Sequence, residues 1–385
     1  MRSNQWKMSH KRNPFGLGPE VSLFTLGTMR AIESIDQMYL ILKEAYFAGI
    51  NHIETSPAYG PAEIFLGESL KKLKAKGIEP RGGWIITSKL LPSIKFSNGK
   101  KQLKGIIKRL GISKVHNLAI HGLNLPEHLN WALQGEGAEL LKWAQSEDLI
   151  GQVGFSSHGS FQLINEAIES NQFNFCSLHL HLLDQERIPL AQAALKKGMG
   201  VIAISPADKG GHLHTPSQTL IEDCSPFKPL ELAYRYLLSQ GISTLTLGAN
   251  KTKDLYLAKK LGDSNSPLSS SEKLLIDRLM KNITHRLGNT FCGQCRECLP
   301  CPNEVPIPNI LRLRNLDIGL NLQTFSKERY NLIGKAGHWW EKYDASACMK
   351  CGDCLPRCPN NLNIPELLEE THSKLIDKPE RRLWG

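Results

Sequence analysis

Eight cysteines near the C-terminus constrain this chain more than any other feature. They form two boxes, Cys292-x2-Cys295-x2-Cys298-x2-Cys301-Pro302 and Cys348-x2-Cys351-x2-Cys354-x3-Cys358-Pro359. Only Cys176 and Cys224 lie outside them. A disulfide framework requires an oxidising compartment, and the basic N-terminal stretch has no apolar core of the kind an export signal carries. Zinc sites usually join two Cys-x-x-Cys hairpins a dozen or more residues apart, and zinc is the competing reading here. Four thiols within ten residues suit a bulkier inorganic core. The second box has the spacing of a [4Fe–4S] ligand run, including the proline after its last cysteine. The first box is one residue shorter between its third and fourth cysteines.

The two boxes therefore predict two [4Fe–4S] clusters. In two-cluster modules of this kind the fourth cysteine of each box serves the other cluster. Cys292, Cys295, Cys298 and Cys358 are assigned to one, and Cys348, Cys351, Cys354 and Cys301 to the other. Each box is followed by a polar turn and an Ile-Pro pair, Ile307-Pro308 and Ile364-Pro365. Proline is favoured in a first helical turn, so both pairs read as helix starts and the module as mostly α-helical. Cys176 and Cys224 read as buried or incidental thiols.

Upstream, short β-branched runs alternate with longer amphipathic stretches. Strands are expected at 21–28, 51–56, 84–90, 117–122, 151–157, 173–181, 200–206 and 243–248. Between them, segments such as IDQMYLILKEAYFAG and PAEIFLGESLKKLKAKG repeat apolar residues at three and four positions. Eight strand–helix units in about 250 residues is the arithmetic of a (β/α)8 barrel. No Gly-x-Gly-x-x-Gly follows the first strand, so a doubly wound sheet is the weaker alternative. The expected architecture is α/β: a (β/α)8 TIM barrel over residues 1–286, then a small, mostly α-helical ferredoxin-like domain over 287–385.

Barrel chemistry sits at the C-terminal strand ends. Those ends carry Glu54 and Tyr59 after the second strand, Lys89 on the third and His121 on the fourth. A lysine beside a tyrosine stabilises the phenolate, a carboxylate keeps the lysine charged, and a histidine orients a carbonyl oxygen. His52, His179, His181, His212 and His214 read as lining or core residues, because no third ligand completes a metal site at their spacing.

HIETSPAYGPAEIFLGESL, IITSKL, LAIHGLN and VGFSSHGS together resemble the aldo/keto reductase superfamily, and in particular its branch with a C-terminal ferredoxin-like dicluster domain. The resemblance implies NADP(H)-linked interconversion of small carbonyl and alcohol substrates. Tyr59 would be the general acid, Lys89 its partner and His121 the carbonyl-orienting group, with Glu54 where the family has Asp. It also implies nucleotide contacts, more patchily matched: Ser156 and Ser157 for the carboxamide, Ser177 for a family glutamine and Ser205 beside the pyrophosphate. In GANKTKDL, Gly248, Asn250, Lys251 and Lys253 offer backbone N–H groups and ammonium groups for phosphate.

A hydride carries two electrons and a cluster accepts one, so coupling the two halves calls for a mediator. No flavin motif stands out, and a flavin site in the barrel mouth stays open. An acidic electron carrier such as ferredoxin is the expected macromolecular partner. It suits the net charge of +10, most of which lies in the barrel. The lysines and arginines are spread along helices without a reader motif, which argues against nucleic acid. No apolar run reaches membrane-spanning length, and the expected location is cytoplasmic. The alternative reading is a catalytically weak barrel acting as a nucleotide- or redox-sensing module, with Glu54 as its mark.

Overall fold

The computed structural model describes residues 11–208, 212–335 and 337–377. The chain divides into two compact units, Met1–Gly211 with Ala233–Pro267, and His212–Leu232 with Leu268–Gly385.

The first unit begins with an antiparallel hairpin, β1 (Arg12–Phe15) and β2 (Gly18–Ser22). Eight parallel strands follow: β3 (Phe24–Gly27), β4 (His52–Glu54), β5 (Ile85–Leu90), β6 (Val115–His121), β7 (Ile150–Ser157), β8 (Phe175–His179), β9 (Gly200–Ile204) and β10 (Thr244–Gly248). They close into a barrel as β10 pairs with β3. Each of the eight expected strands has its counterpart. The stretch at 21–28 contains two elements, however, with a break at Leu23 between hairpin and barrel.

The hairpin places Phe15 and Val21 in one buried cluster with Ile85, Ala119, Phe175 and Ile202. Burying such side chains stabilises the fold by about 1.5–3 kcal/mol each. Gly16 turns the hairpin in the left-handed region (φ 58°), and a Cβ there would lie 2.2 Å from the Asn174 carbonyl oxygen. Only glycine fits that close approach.

The barrel interior also carries a polar chain. Thr244 Oγ1 meets Thr25 Oγ1, Thr25 Oγ1 meets His52 Nδ1, and His52 Nε2 meets Thr87 Oγ1, each at 2.7 Å. Asn117 Nδ2 donates to Thr87 Oγ1 (3.0 Å), and Gln152 Nε2 donates to Asn117 Oδ1 (2.7 Å). Burial pushes His52 down to about 3, with His116 adding in the same direction, so the ring is neutral.

In the second unit, helix Ser270–Leu287 opens on a Ser269–Glu272 capping box. Helices Ile307–Leu320 and Ile364–Leu375 both start at the expected Ile-Pro pairs. Arg286 holds Asp223 through two hydrogen bonds (2.5 and 2.8 Å), and Asn282 donates to the same carboxylate. Among the described residues no helix is long and apolar enough to cross a membrane.

Candidate functional site

The barrel stagger assembles the first group of site residues. Glu54 pairs with Thr87 on β5, and Lys89 lies two residues further; Lys89 pairs with Ala119 on β6, and His121 lies two residues further. A step of two keeps the side chain on the same face while climbing the tilted strands. Tyr59 comes from the turn after β4, where its N–H donates to the Ser56 carbonyl (3.0 Å).

Lys89 Nζ lies 2.8 Å from Glu54 Oε1 and donates to Tyr59 Oη at 2.6 Å. Both charged side chains are buried, at 3% and 4% exposure. Burial alone would push Lys89 down; the Glu54 charge, then Tyr59, outweigh it and the ammonium is held above its usual value. Burial raises Tyr59 as well, and the facing Lys89 pulls it back without cancelling the rise. The phenol is thus protonated at neutral pH with a cation in hydrogen-bond contact. His121 stands edge-on to Tyr59, ring centroids 5.9 Å apart at 88°, and its Nδ1 is 3.2 Å from Ser56 Oγ. Ser56, which fixes this ring, had no signal in the sequence beyond lying in the same turn.

The nucleotide candidates are arranged less simply. Ser156 Oγ accepts the Gly122 N–H (3.1 Å). Ser157 Oγ donates to the Leu123 carbonyl (2.5 Å) and accepts from Gly159 N (2.9 Å). Their hydroxyls stitch the end of β7 to the loop after β6. Ser177 Oγ is buried with no hydrogen-bond partner among the described residues. Ser205 is half-buried and adopts φ 52°. Gly248, at the end of β10, and Asn250, Lys251 and Lys253 beyond it are all exposed. The backbone N–H groups of Asn250 and Lys251, expected to be open to phosphate, both donate to Asp254 Oδ2 at 3.1 Å. A side chain three to four residues ahead has satisfied the helix start.

In the second unit, Cys301 lines one concavity with Cys348, Cys351 and Cys354, a solvent-open space of about 340 Å³. Burial pushes the Cys292 thiol up, and Cys295 and Cys358 act in the same direction. Burial likewise pushes Cys298 to about 12, with Cys292 and Cys295 next in effect. Residues on either side of the second cysteine are left-handed in both boxes: Gln294 (φ 59°) and Arg296 (67°), Lys350 (56°) and Gly352 (84°). Three residues past each last cysteine, Glu304 (54°) and Asn361 (51°) repeat the pattern. Alternating hands of this kind turn successive N–H groups inward, as in anion-binding nests. Arg357, the extra residue of the second box, donates twice to the Pro300 carbonyl in the first (3.1 Å each). Among the described residues, no three His, Cys, Asp or Glu side chains are grouped to hold a single metal ion. Cys176 and Cys224 are both buried, and burial pushes each thiol up to about 12.

The closed parallel barrel thus carries a tyrosine, a lysine and a carboxylate in contact at the C-terminal ends of its strands, where barrel enzymes place their chemistry. Residues 24–279 match the model of the aldo/keto reductase family, and the chain belongs to that family. It is 23% identical to the D-arabinose 1-dehydrogenase of Saccharomyces cerevisiae over 318 residues, 72% of this chain and 94% of the yeast protein. Among solved structures it is similar to the holo form of an aldo-keto reductase from Bacillus halodurans (TM-score 0.58, 20% identity, 70% of this chain and 96% of that one). It is also similar to a Bombyx mori aldo-keto reductase in complex with NADP (TM-score 0.55, 19% identity, 70% and 92%).

Proposed function

We propose that the protein is an NADP(H)-linked oxidoreductase that interconverts small carbonyl and alcohol substrates at Tyr59. The observation that carries this reading is the contact chain Glu54–Lys89–Tyr59, with separations of 2.8 and 2.6 Å in a buried setting. NADPH, when bound, supplies hydride to the carbonyl carbon. Tyr59 Oη gives its proton to the carbonyl oxygen, and Lys89 Nζ stabilises the phenolate left behind. Glu54 keeps Lys89 charged. His121, oriented by Ser56, hydrogen-bonds the same carbonyl oxygen. The orphaned Ser177 hydroxyl fits a ligand amide, and Ser205, Lys251 and Lys253 are the further nucleotide candidates.

We further propose that residues 287–385 form a ferredoxin-like module for two [4Fe–4S] clusters. Cys301, Cys348, Cys351 and Cys354 would hold one, and Cys292, Cys295, Cys298 and Cys358 the other. The cysteine-lined concavity and the left-handed positions repeated around both boxes support this fit. The clusters, when bound, supply one-electron transfer, and an acidic carrier such as ferredoxin is the proposed external partner, in the cytoplasm. A second reading, a weakly catalytic nucleotide-sensing barrel, is favoured by one fact: the Ser157, Asn250 and Lys251 donors are already occupied, and Ser156 Oγ already accepts from Gly122.

Anaerobic protein titrated with NADPH and an aldehyde separates these. NADPH oxidation with the aldehyde supports the reductase, and bleaching of the cluster absorbance adds the coupling. Nucleotide binding without turnover favours the sensor.

A further inference from the structure

Strand register sets only half of the Glu54–Lys89–Tyr59 chain. Glu54 and Lys89 sit on β4 and β5, which pair directly, so the sheet holds their contact. Tyr59 reaches Lys89 from outside the sheet, on the turn between β4 and helix Ala62–Lys74. At the strand end of that turn, Tyr59 N–H donates to the Ser56 carbonyl (3.0 Å) and Ala58 N–H to Ser56 Oγ (3.2 Å). At the helix end, Ala62 N–H donates to the Tyr59 carbonyl (3.2 Å). The place of Tyr59 therefore depends on where this helix starts relative to β5.

Glu63, in the first turn of the helix, makes the connection. Ser88 Oγ donates to Glu63 Oε1 (2.8 Å). Arg109, in the last turn of helix Phe96–Leu110, donates to Glu63 Oε2 through Nε (2.8 Å) and Nη2 (2.7 Å). Glu63 and Ser88 are both buried. Burying a carboxylate is costly unless it is paired and hydrogen-bonded, and here both oxygens are matched. Successive side chains of a strand point to opposite faces. Lys89 faces the barrel interior with Glu54, so Ser88, one residue earlier, faces the helices. Gly67 makes room for the third partner. A Cβ there would lie 2.2 Å from the Arg109 carbonyl oxygen, so its absence lets the two helices close and Arg109 reach Glu63.

We infer that Glu63 is a positioning residue: through Ser88 and Arg109 it locks the start of helix Ala62–Lys74 onto β5 and so holds Tyr59 Oη against Lys89 Nζ. That role rests on Tyr59 donating the proton in the proposed reaction. Loosening the clamp leaves Lys89 with Glu54, because the sheet holds that pair, and lets Tyr59 move off the ammonium. The other groups facing Tyr59 are the Glu54 carboxylate and the His121 ring. A phenolate with its cation further away is less stable, so the phenol keeps its proton to higher pH. The alkaline limb of kcat/KM then moves up, opposite in sign to the effect of losing Glu54.

Two variants of the full-length protein test this. Ser88→Ala cuts the tie to β5 and leaves Glu63 paired with Arg109. Glu63→Gln keeps the side-chain volume and removes the charge. NADPH oxidation with a small aldehyde, measured across pH per folded molecule, separates kcat from KM. Carbon-13 NMR of protein labelled at tyrosine Cζ follows the Tyr59 phenol without turnover, its signal assigned by its absence from Tyr59→Phe. Both variants should show kcat lower by about ten- to a hundredfold, with aldehyde KM and NADPH affinity within about twofold of wild type. The alkaline limb should move up and the Tyr59 signal should shift. A lower thermal midpoint with kcat, alkaline limb and Tyr59 signal unchanged would make the clamp purely structural and overturn the inference. A rise in KM that accounts for all the lost activity would overturn it too. Should Glu63→Gln fail to fold, Ser88→Ala decides alone, since it spares the buried ion pair. An inert wild type whose Tyr59 signal still shifts in Ser88→Ala would fail the reductase reading and keep the clamp. An active wild type with an unmoved Tyr59 signal in both variants would do the reverse.

Discussion

Shortening the buried carboxylate, Glu54→Asp, would restore the residue that the family carries, yet it should impair this protein. Glu54 Oε1 sits 2.8 Å from Lys89 Nζ. At an effective dielectric of about 20, that pair attracts by roughly 6 kcal/mol. Removing one methylene retracts the carboxylate by about 1.5 Å, which lowers the attraction to roughly 4 kcal/mol and breaks the direct ion-pair contact. Allowing for relaxation, a loss of about 2 kcal/mol at the site corresponds to a ten- to fiftyfold fall in kcat/KM. Glu54→Gln removes the charge altogether. It leaves a buried ammonium without its counter-ion, and breaking such pairs costs about 3–5 kcal/mol of stability. The sign of its pH effect follows from the same geometry. Glu54 holds Lys89 above its usual value, so without it Lys89 loses its proton at lower pH and the alkaline limb of kcat/KM moves down in pH. Steady-state NADPH oxidation across pH, with urea unfolding of the same variants, measures both effects. A folded Glu54→Asp protein more active than wild type would refute the reasoning and favour the sensing barrel.

Three further outcomes follow from other parts of the molecule. His52 is held neutral down to about pH 3, whereas an unfolded histidine titrates near 6.5, so the unfolded state takes up the proton first and stability falls between those values. At pH 5 the loss is about 2 kcal/mol, and His52→Gln should show a correspondingly smaller drop in urea midpoint between pH 7.5 and pH 5; equal drops would count against it. Asp223→Asn weakens the carboxylate grip of Arg286, which holds Asp223 below its usual value against the opposing effect of burial. Loss of about 1–3 kcal/mol is expected, read as a lower thermal midpoint, and no change would show the pair to be inconsequential. Cys301→Ser should perturb the cluster assigned to Cys348, Cys351 and Cys354 and spare the other, leaving about four of eight irons after anaerobic purification. Retention of all eight would contradict the exchanged ligation.

What could be read in the sequence depended on distance along the chain. The strands showed because each is a short β-branched run bounded by turns, and the tetrad showed because its members end successive strands. The hairpin was hidden: Val21 to Thr28 is continuously rich in apolar residues, and nothing in that pattern marks the change of sheet at Leu23. Between β6 and β7 the chain forms two helices, Pro126–Gln134 and Glu136–Ser146, parted at Gly135. At the candidate nucleotide positions the residue types were legible, but not whether their donors stay available. Ser157 spends its single hydroxyl proton on Leu123, and Asp254 reaches back to the N–H groups that a helix start would have left open. His158 and His179 are 21 residues apart, one just past β7 and the other ending β8, so their contact depends on β7–β8 pairing and had no local signature. The cysteine boxes were the reverse case, since their spacing alone suggested an exchange of fourth cysteines. In the fold, Cys301 lines one concavity with Cys348, Cys351 and Cys354.

The proton at Tyr59 Oη is the centre of this account, and Tyr59→Phe tests it most directly. The substitution removes the hydroxyl 2.6 Å from Lys89 and leaves the ring that faces His121. NADPH oxidation should be measured over a panel of small aldehydes, with nucleotide affinity determined in parallel. Turnover by the wild type is expected, with a fall of about 10²-fold or more in Tyr59→Phe and nucleotide affinity unchanged. Equal turnover by the two proteins would contradict it.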